Sequence, residues 1–421
     1  MTKQSAQTVA EHITMEQPVV SIGLCGHVDH GKTTLLEKLS GKWADTHSEE
    51  LKRGITIRLG YADVVFRKCP ADDAFTTLET CTQHNEKTIP VRKVSFVDAP
   101  GHESLMATML SGAAIIDGAL ILVSAAEKCP QPQTREHLTA LEIIGIKNVI
   151  VVQNKIDIVD REKAIQNYKE IKEFLKGTAY ENAPIIPISA QYGANIDKLI
   201  GAIETYMLTP ERDMGKDPLM LVARSFDINR PGTFPKDMKG GVLGGALRYG
   251  MLKQDQDIEI RPGRLVEEKN QKIWKPITTK IAGIITGGVT VESVKPGGSF
   301  GLLTTLDPSI VKSDSLTGAV VGLPGKLPKV WDDWLILEVK LLERVVGTQE
   351  ELTVDPIRMN EILMLNVNSA ATVGIVNEII RNKVKCKLKL PVCAEEGSRV
   401  TISRRVGNRY RLIGYGIIVK K

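Results

Sequence analysis

Short apolar runs alternate with stretches of helical periodicity in the first half of the chain. Within those stretches, hydrophobic residues recur at intervals of three and four, which is the spacing of one helix face. This alternation predicts βαβ units and a doubly wound, mostly parallel sheet whose ligand lies at the carboxyl ends of the strands. The predicted strands are 19–25, Val94–Val97, Ala119–Val123, Val149–Gln153 and Ile185–Ile188, and the predicted helices are Arg135–Ile144, Ala164–Leu175 and Ile196–Met207.

The pattern changes after Pro210. Short strands interrupted by Gly and Pro follow a polar segment, and the alternation at 258–260 is typical of a half-buried antiparallel strand. Two prolines and a glycine at 323–328 mark a second break. We therefore expect an α/β domain followed by two all-β barrels. The expected divisions are a flexible tail at 1–17, the α/β domain at 18–210 with an insertion at 68–86, and barrels at 216–327 and 330–421. Strands expected in the first barrel include Met220–Ala223, Gly240–Leu247, Asp257–Ile260 and Lys280–Ile285.

Composition limits the class of protein further. With 421 residues, 42% of them hydrophobic and 25% charged, the chain has the composition of an ordinary soluble protein. It contains no apolar run long enough to cross a membrane, so we expect no membrane association. Its six cysteines form no C-x-x-C pair, which favours the reducing cytoplasm over a disulfide-stabilised protein. The net charge of +5 permits a nucleic-acid partner without requiring one.

The segment 26–33, GHVDHGKT, has the G-x-x-x-x-G-K-[ST] spacing of a phosphate-binding loop. It lies between a predicted strand and a helical stripe, where glycines allow backbone N–H groups to surround the phosphates of a nucleotide. Lys32 supplies a positive charge and the Thr33 hydroxyl can bind Mg²⁺. The expected nucleotide contacts from this segment and the residue after it are Asp29, His30, Gly31, Lys32, Thr33 and Thr34.

Asp98 directly follows a predicted strand and opens the sequence DAPG. A carboxylate there can hold Mg²⁺ through a water molecule, and the N–H of Gly101 can reach the γ-phosphate. The segment Arg53–Ile57 lies between this motif and the phosphate loop. Its Thr56 can complete the magnesium shell when the γ-phosphate is present, although taken alone it fits an ordinary strand threonine better.

The sequence NKID at 154–157 ends another predicted strand. Guanine presents N1–H and N2–H₂ as neighbouring donors that the Asp157 carboxylate can accept, whereas adenine would leave that carboxylate unpaired at a cost of about 1–3 kcal/mol. Lys155 can lie along the base, and Asn154 can support the phosphate loop. The segment Ser189-Ala190-Gln191 follows the next strand, where its backbone would approach guanine O6. Together the five segments predict a guanine-specific P-loop GTPase, with 18–210 as its GTP-binding domain.

His102 directly follows the DAPG sequence, where a side chain can orient the attacking water. The resulting sequence DAPGH is typical of the translational GTPases. From about Val19 to Lys421 the chain resembles one family of these proteins, the gamma subunits of translation initiation factor 2 in their archaeal form. The segments that carry the resemblance are 26–34, 47–54, 106–113, 130–134, 239–242, 342–347 and 402–405.

The resemblance implies a GTP-binding domain with two barrels, GTP or GDP with Mg²⁺ as ligands, and GTP hydrolysis that involves Asp98, Gly101 and His102. It also implies GTP-dependent delivery of initiator methionyl-tRNA to the small ribosomal subunit, in a trimer with alpha and beta subunits. Two alternatives stay open. One is an elongation-type or selenocysteinyl-tRNA-carrying GTPase, and the other is a non-hydrolysing assembly scaffold, against which the intact Lys32, Asp98 and His102 argue.

Asp29 places a carboxylate inside the phosphate loop, where it would repel a nucleotide unless a cation lay between them. We therefore hypothesise a second Mg²⁺ bound by Asp29 and the carbonyl of Gly54. The alternative is a solvent-facing aspartate that caps the loop.

The insertion at 68–86 departs from the family pattern. Relatives often carry a zinc knuckle of two C-x-x-C pairs here, whereas this chain has Cys69 with Asp72 and Cys81 with His84 at that spacing. All four side chains can bind Zn²⁺, but structural zinc sites rarely use a carboxylate. The sequence therefore favours a degenerate, metal-free knuckle over a Cys₂-Asp-His zinc site.

Cations alternate with apolar residues from Arg381 to Lys389, which puts the cations on one face of a strand. Further arginines follow between 399 and 411. A solvated edge strand protected by lysines and an RNA-binding surface both fit this pattern, and the resemblance favours RNA.

Overall fold

The computed structural model describes residues 16–41, 59–99, 106–269, 271–343, 345, 352–407 and 409–420. The chain forms two units, Met1–Pro210 and Glu211–Lys421. The expected tail at 1–17 lies almost wholly outside the described residues. Within these ranges, no helix is long and apolar enough to cross a membrane.

Strands and helices alternate along the first unit, as the hydrophobic pattern predicts. Its strands are β1 (Val20–Gly26), β2 (Gly60–Lys68), β3 (Phe75–Thr76), β4 (Ile89–Asp98), β5 (Gly118–Ser124), β6 (Asn148–Asn154) and β7 (Ile185–Pro187). Its helices are α1 (Lys32–Ser40), α2 (Met106–Ala113), α3 (Pro132–Ile144), α4 (Arg161–Leu175) and α5 (Ile196–Tyr206). The predicted elements are confirmed, with β4 beginning five residues before its predicted start, whereas β2, β3 and α2 have no predicted counterpart.

These strands form one mixed sheet with β1 at its centre. In the described part of the chain its order is β3-β2-β4-β1-β5-β6-β7. The pairs β1–β4, β1–β5, β5–β6 and β6–β7 are parallel, and β2 runs antiparallel to β4 and β3. Leu36 of α1 and Ile200 of α5 pack in the same core as Leu24 of β1. Cys25 and Ile121 point to the opposite face and are also buried, so both faces are covered, as in a doubly wound fold.

The second unit begins with a barrel of short and long strands. Its elements are β8 (Leu219–Phe226), β9 (Val242–Tyr249), β10 (Leu252–Lys253), β11 (Asp257–Glu268), β12 (Gln271–Thr286), β13 (Val289–Val291), β14 (Ser293–Val294), β15 (Phe300–Thr304), α6 (Pro308–Val311) and β16 (Val320–Gly322). Among the described residues, the order β11-β16-β8-β9-β15-β12 closes on itself because β12 also pairs with β11. Fully buried residues such as Val222, Leu243 and Ile281 fill its interior.

The sequence predicts that β11 ends before Arg261-Pro262-Gly263, and this prediction is wrong. The strand continues to Glu268, with a shift of register between Ile260 and Arg264. A bulge of this kind accommodates a proline, which has no N–H to donate to the ladder. The breaker residues therefore mark an irregularity inside the strand.

A second barrel ends the chain. Its strands are β17 (Val330–Trp331), β18 (Trp334–Leu341), β19 (Ile362–Val367), β20 (Ala370–Ile380), β21 (Lys383–Leu388), β22 (Val392–Cys393), β23 (Arg399–Val406) and β24 (Arg409–Ile418). Within the described ranges, β18-β21-β20-β19-β23-β24 form a closed barrel. The predicted plan of one α/β domain and two barrels is confirmed, while the division points at 216–327 and 330–421 stay a prediction.

Gly245 of β9 passes close to a neighbouring backbone. A Cβ atom added there would lie 2.0 Å from the carbonyl oxygen of Leu221 in β8. Gly245→Ala should therefore lower the free energy of unfolding of the second unit by about 1–3 kcal/mol, because overpacking forces the two strands apart. Urea unfolding followed by tryptophan fluorescence measures this, since three of the four tryptophans lie in that unit.

Gly283→Ala is the matched control, because Gly283 lies in β12 of the same barrel and its added Cβ would meet its nearest neighbour only at 4.0 Å. This variant should change stability by less than about 0.5 kcal/mol. An equal loss of stability in both variants would contradict the close-approach argument.

Candidate nucleotide-binding site

The predicted phosphate loop joins β1 to α1. Gly31 has a φ of 89°, and a Cβ atom there would lie 2.3 Å from the side-chain nitrogen of Asn154, so a larger residue does not fit. Asp29 also has a positive φ, 62°, and is exposed. The first N–H groups of a helix attract anions, and α1 begins at this loop, with Thr34 half-buried in its first turn.

Lys32 folds back over the loop. Its ammonium group donates to the carbonyl oxygens of Gly26 and His27 at 3.1 and 2.8 Å, and only 7% of the residue is exposed. These contacts hold a positive charge beside the loop, which is where the β- and γ-phosphates of a nucleotide would lie.

Two of the predicted magnesium-binding side chains meet beside this loop. The Thr33 hydroxyl donates to a carboxylate oxygen of Asp98 at 3.0 Å. Asp98 ends β4 and is fully buried, next to Leu24 of β1 in the parallel register. Magnesium prefers hard oxygen ligands, so these two residues fit a magnesium site.

Asn154, at the end of β6, joins two predicted parts of the site. Its side-chain NH₂ donates to the carbonyl of His30 at 2.9 Å, and its side-chain oxygen accepts from the N–H of Ala190 at 3.0 Å. Asn154 is 2% exposed, so neither bond competes with bulk water. The amide therefore ties the phosphate loop to the segment at 189–191.

The predicted base-binding residues surround this amide. Lys155 has a φ of 64° and is followed by a short turn that leaves Asp157 exposed. Ser189 and Ala190 are buried, and Gln191 is exposed. The structure thus brings the phosphate loop, Asp98 and both base-binding segments to one edge of the sheet.

Other candidates lie outside the described residues. These are Gly101 and His102 for hydrolysis, Thr56 for the first magnesium, and Gly54 for the second. Asp98 is the catalytic candidate that the structure places, and the roles of the other four stay predictions.

A buried histidine on α3, which no motif identified, supports the phosphate loop. The N–H of Gly26 donates to Nδ1 of His137 at 2.8 Å, and His137 is 1% exposed. Burial lowers the pKa of His137 to about 3, and the nearby Lys32 charge adds to the effect. The sequence does contain a signal: His137 occupies a core-facing position of the helical stripe, four residues before the buried Leu141.

His30 lies in the same buried group. Its Nδ1 is 2.9 Å from the carbonyl of Leu122, so this nitrogen carries the proton, and its Nε2 is 3.5 Å from Glu127. Burial lowers the pKa of His30 to about 4. His30 was predicted as a nucleotide contact, and the bonds of its side chain hold the loop to β5.

Comparison with known proteins identifies the family. A model described as "Elongation factor Tu GTP binding domain" matches residues 17–209, and one described as "Initiation factor eIF2 gamma, C terminal" matches 333–418. Translation initiation factor 2 subunit gamma of Pyrococcus horikoshii is 56% identical over 410 residues, which cover 97% of this chain and 100% of that protein. The chain belongs to the family of translation initiation factor 2 gamma subunits. It is therefore a GTPase of translation initiation.

Two solved structures share the fold of this gamma subunit. One is a bacterial selenocysteine-specific elongation factor, with a TM-score of 0.72 and 24% identity over 94% of this chain, which spans 58% of that structure. The other is translation elongation factor SelB of Methanococcus maripaludis in complex with a GTP analogue, with a TM-score of 0.71 and 24% identity, covering 96% of this chain and 80% of that one. At this identity the likeness shows a common fold alone.

The insertion at 68–86 brings three of its four predicted ligands, Cys69, Cys81 and His84, into one group, with Asp72 beside His84. The Sγ atoms of Cys69 and Cys81 lie 3.4 and 3.5 Å from Nδ1 of His84, and a carboxylate oxygen of Asp72 lies 4.0 Å from the same nitrogen. Both cysteines are buried thiols. Hydrogen bonds from Cys69 and from the backbone N–H of His84 lower the pKa of Cys81 to about 7. These side chains therefore form one cluster at the end of β2.

Asn154→Ala should weaken the binding of GDP and GTP by about 10- to 100-fold. The change leaves the buried carbonyl of His30 and N–H of Ala190 without the amide, at a cost of about 1–3 kcal/mol. Calorimetric titration with GDP measures the loss. Asn182→Ala is the control, since Asn182 is an exposed turn residue of the same unit, and equal weakening in both variants would contradict the bridging role.

His137 should make the first unit sensitive to acid. Its folded-state pKa of about 3 lies below the ordinary value of 6.5, so the unfolded chain takes up a proton first as the pH falls. The contribution of neutral His137 to the free energy of unfolding is complete above about pH 6.5. It is lost as the pH falls toward 3, at about 1.4 kcal/mol per pH unit. Protonation would also remove the acceptor of the Gly26 N–H.

His137→Gln should therefore give a shallower fall of unfolding free energy between about pH 6 and 4 than the wild type, by about 1.4 kcal/mol per pH unit. Urea unfolding followed by far-ultraviolet circular dichroism measures the slope, because most of the described helices lie in the first unit. Parallel pH curves for the two proteins would refute this role of His137.

Proposed function

We propose that this protein carries initiator methionyl-tRNA to the small ribosomal subunit in a GTP-dependent manner, and that GTP hydrolysis releases it. In this proposal the chain acts in the cytoplasm as part of a trimer with alpha and beta subunits. The observation that carries the proposal is the 56% identity with an initiation factor gamma subunit over 97% of the chain. Identity of that extent includes both barrels as well as the nucleotide-binding domain.

The geometry of the first unit supports a GTP-dependent switch. Lys32 is held beside the phosphate loop, and Thr33 and Asp98 provide two oxygen ligands within 3.0 Å of each other. Magnesium bound there would neutralise charge on the β- and γ-phosphates. The Asp157 carboxylate would accept the two guanine donors, and Thr56 would join the site only with the γ-phosphate present. Loss of that phosphate would then release the segment around Thr56.

Hydrolysis in this proposal depends on the residues that follow Asp98. The N–H of Gly101 would meet the γ-phosphate, and the imidazole of His102 would orient the attacking water. We also propose the second magnesium at Asp29 and Gly54; the exposed position of Asp29 at the loop surface fits this site and the solvent-facing alternative equally.

The last barrel offers a basic face for RNA. On β21 three of the five predicted cations, Lys383, Lys385 and Lys387, alternate with buried apolar residues, whereas Arg381 lies in the turn before the strand and Lys389 follows it. Lys385 and Lys387 lie over the ring of Trp334 at 4.8 and 5.8 Å. Arg404 is different, because its guanidinium is bound to the Glu361 carboxylate and to backbone carbonyls. Lys385 also pairs with the Glu378 carboxylate at 3.6 Å, so the exposed Lys383 and Lys387 support RNA contact better than Lys385 or Arg404 does.

Asp157→Asn should change the nucleotide that controls tRNA binding. Xanthine has a carbonyl where guanine has N2–H₂, so an asparagine amide at position 157 should pair with xanthine. The same change should weaken the binding of GTP by about 100-fold. With the two partner subunits present, retention of initiator methionyl-tRNA should then require a xanthosine triphosphate instead of GTP. The wild type should retain this tRNA with a GTP analogue and lose it with GDP.

Filter binding with initiator methionyl-, elongator methionyl- and selenocysteinyl-tRNA measures the specificity. Equal retention of the elongator tRNA, or preference for selenocysteinyl-tRNA, would favour an elongation-type carrier. The scaffold would be favoured if tRNA were retained equally with GTP and GDP, if no GTP were hydrolysed, and if His102→Ala changed neither result. A failure of the variant to bind xanthosine nucleotides would instead overturn the role of Asp157.

A further inference from the structure

Two polar side chains interrupt the apolar packing between α4 and the sheet. The buried residues of α4 include Asn167, Ile171 and Leu175, which are spaced at four, so Asn167 occupies a core-facing position of the helix. Gln153 follows a run of buried valine and isoleucine residues in β6 and is 2% exposed. An amide buried in an apolar interface costs free energy unless it is hydrogen-bonded. Both residues therefore need partners inside the interface.

The two amides are partners of each other. Nε2 of Gln153 donates to Oδ1 of Asn167 at 2.9 Å and to the carbonyl of Ala164 at 2.8 Å. Nδ2 of Asn167 donates to the carbonyls of Ser124 at 3.3 Å and Glu127 at 2.8 Å. All four N–H groups of the pair are thus used, and Asn167 is 3% exposed. A buried amide pair of this kind is rigid, because its bonds are directional and bulk water does not compete for them.

These bonds close a loop that contains the base-binding residues. Gln153 ends the strand side of this loop and binds the first turn of α4, so one side chain joins the two ends of the segment 154–160. Within the segment, the N–H groups of Ile156 and Ile158 make backbone bonds of 3.4 Å, which are longer than the usual length of about 2.9 Å. The position of Asp157 therefore depends on how firmly the two ends of the segment are held.

Asn167 also fixes the strand end that carries Asn154. It binds the carbonyl of Ser124, the last residue of β5, and Ser124 is paired with Asn154 in the β5–β6 register. Adjacent strand residues point to opposite faces, so Gln153 faces α4 while the Asn154 side chain faces the phosphate loop. Apolar contact is non-directional, whereas these hydrogen bonds fix the position of α4 along the sheet.

We propose that Gln153 and Asn167 are positioning residues for guanine recognition. They hold the segment 154–160 so that Asp157 meets the N1–H and N2–H₂ groups of the base, and they do so without contacting the nucleotide. This inference rests on the role proposed above for Asp157. A loop that is held in its bound conformation loses less entropy on binding, so the amide pair raises the affinity for guanine. The Lys32 ammonium is held by carbonyls of its own loop, so its phosphate contact does not depend on the pair.

Gln153→Met tests the proposal, because methionine has about the length of glutamine and no N–H group. Calorimetric titration of the full chain with GDP and with inosine diphosphate separates base from phosphate contacts, since inosine diphosphate has the same phosphates and lacks only the N2 amino group. The wild type should bind GDP at least about tenfold more tightly than inosine diphosphate. In Gln153→Met this preference should fall by at least about threefold, with GDP weakened by about tenfold and inosine diphosphate by less.

Gln166→Met is the matched control, because Gln166 is exposed on the same helix and the substitution is the same. It should keep the wild-type affinity for both nucleotides. Where Gln153→Met does not fold, the double variant Gln153→Met with Asn167→Leu replaces both amides by apolar groups and leaves neither amide unpaired. This double variant should show the same loss of preference for GDP.

Three outcomes would count against the proposal. A lower urea midpoint with unchanged affinity for both nucleotides would show that the amide pair is merely structural. Equal weakening of GDP and inosine diphosphate would show that the pair acts on the phosphates and would overturn a role in guanine recognition. If the wild type itself did not distinguish GDP from inosine diphosphate, the role of Asp157 would fail, and the inference would fail with it.

Discussion

Parallel pairing of β1 with β4 and β5 determines where the functional side chains lie. The register places Leu24 beside Asp98, Gly26 beside Leu122, and Ser124 beside Asn154, so the carboxyl ends of these strands share one edge. The helix after β1 starts at that edge, which lets Thr33 reach Asp98. A shift of β4 by one residue would turn Asp98 to the other face of the sheet and break this contact.

Buried neutral groups hold the phosphate loop in this position. Asn154 binds the loop from the side of β6, and His137 accepts the N–H of Gly26 from α3. A carboxylate in place of His137 could accept the same N–H, but its charge would neutralise Lys32 inside a medium of low dielectric constant. A neutral imidazole supports the backbone and leaves the Lys32 charge for the phosphates. The depressed pKa of His137 follows from that arrangement.

Short-range patterns predicted the strands, the helices and the motifs, because burial and turn chemistry act over a few residues. They did not predict β2, which has no continuous apolar run and pairs antiparallel with β4, outside the parallel βαβ pattern on which the prediction rests. They also did not predict the support by His137, since Gly26 and His137 are 111 positions apart. The sequence predicts the end of a strand at Arg261-Pro262-Gly263, and this is wrong because the pairing that carries β11 past the bulge is non-local.

The knuckle shows the same separation between residue identity and backbone geometry. From residue types alone, Asp72 and His84 count as losses from a four-cysteine pattern, and a metal-free turn follows. The backbone of each turn, with its positive φ and its bond back to the cysteine carbonyl, is set by residues outside the ligand positions. That backbone places the His84 imidazole beside both cysteine sulfurs, with the Asp72 carboxylate beside His84. The two non-cysteine residues therefore change the chemistry of this group, while the backbone that brings the side chains together stays the same.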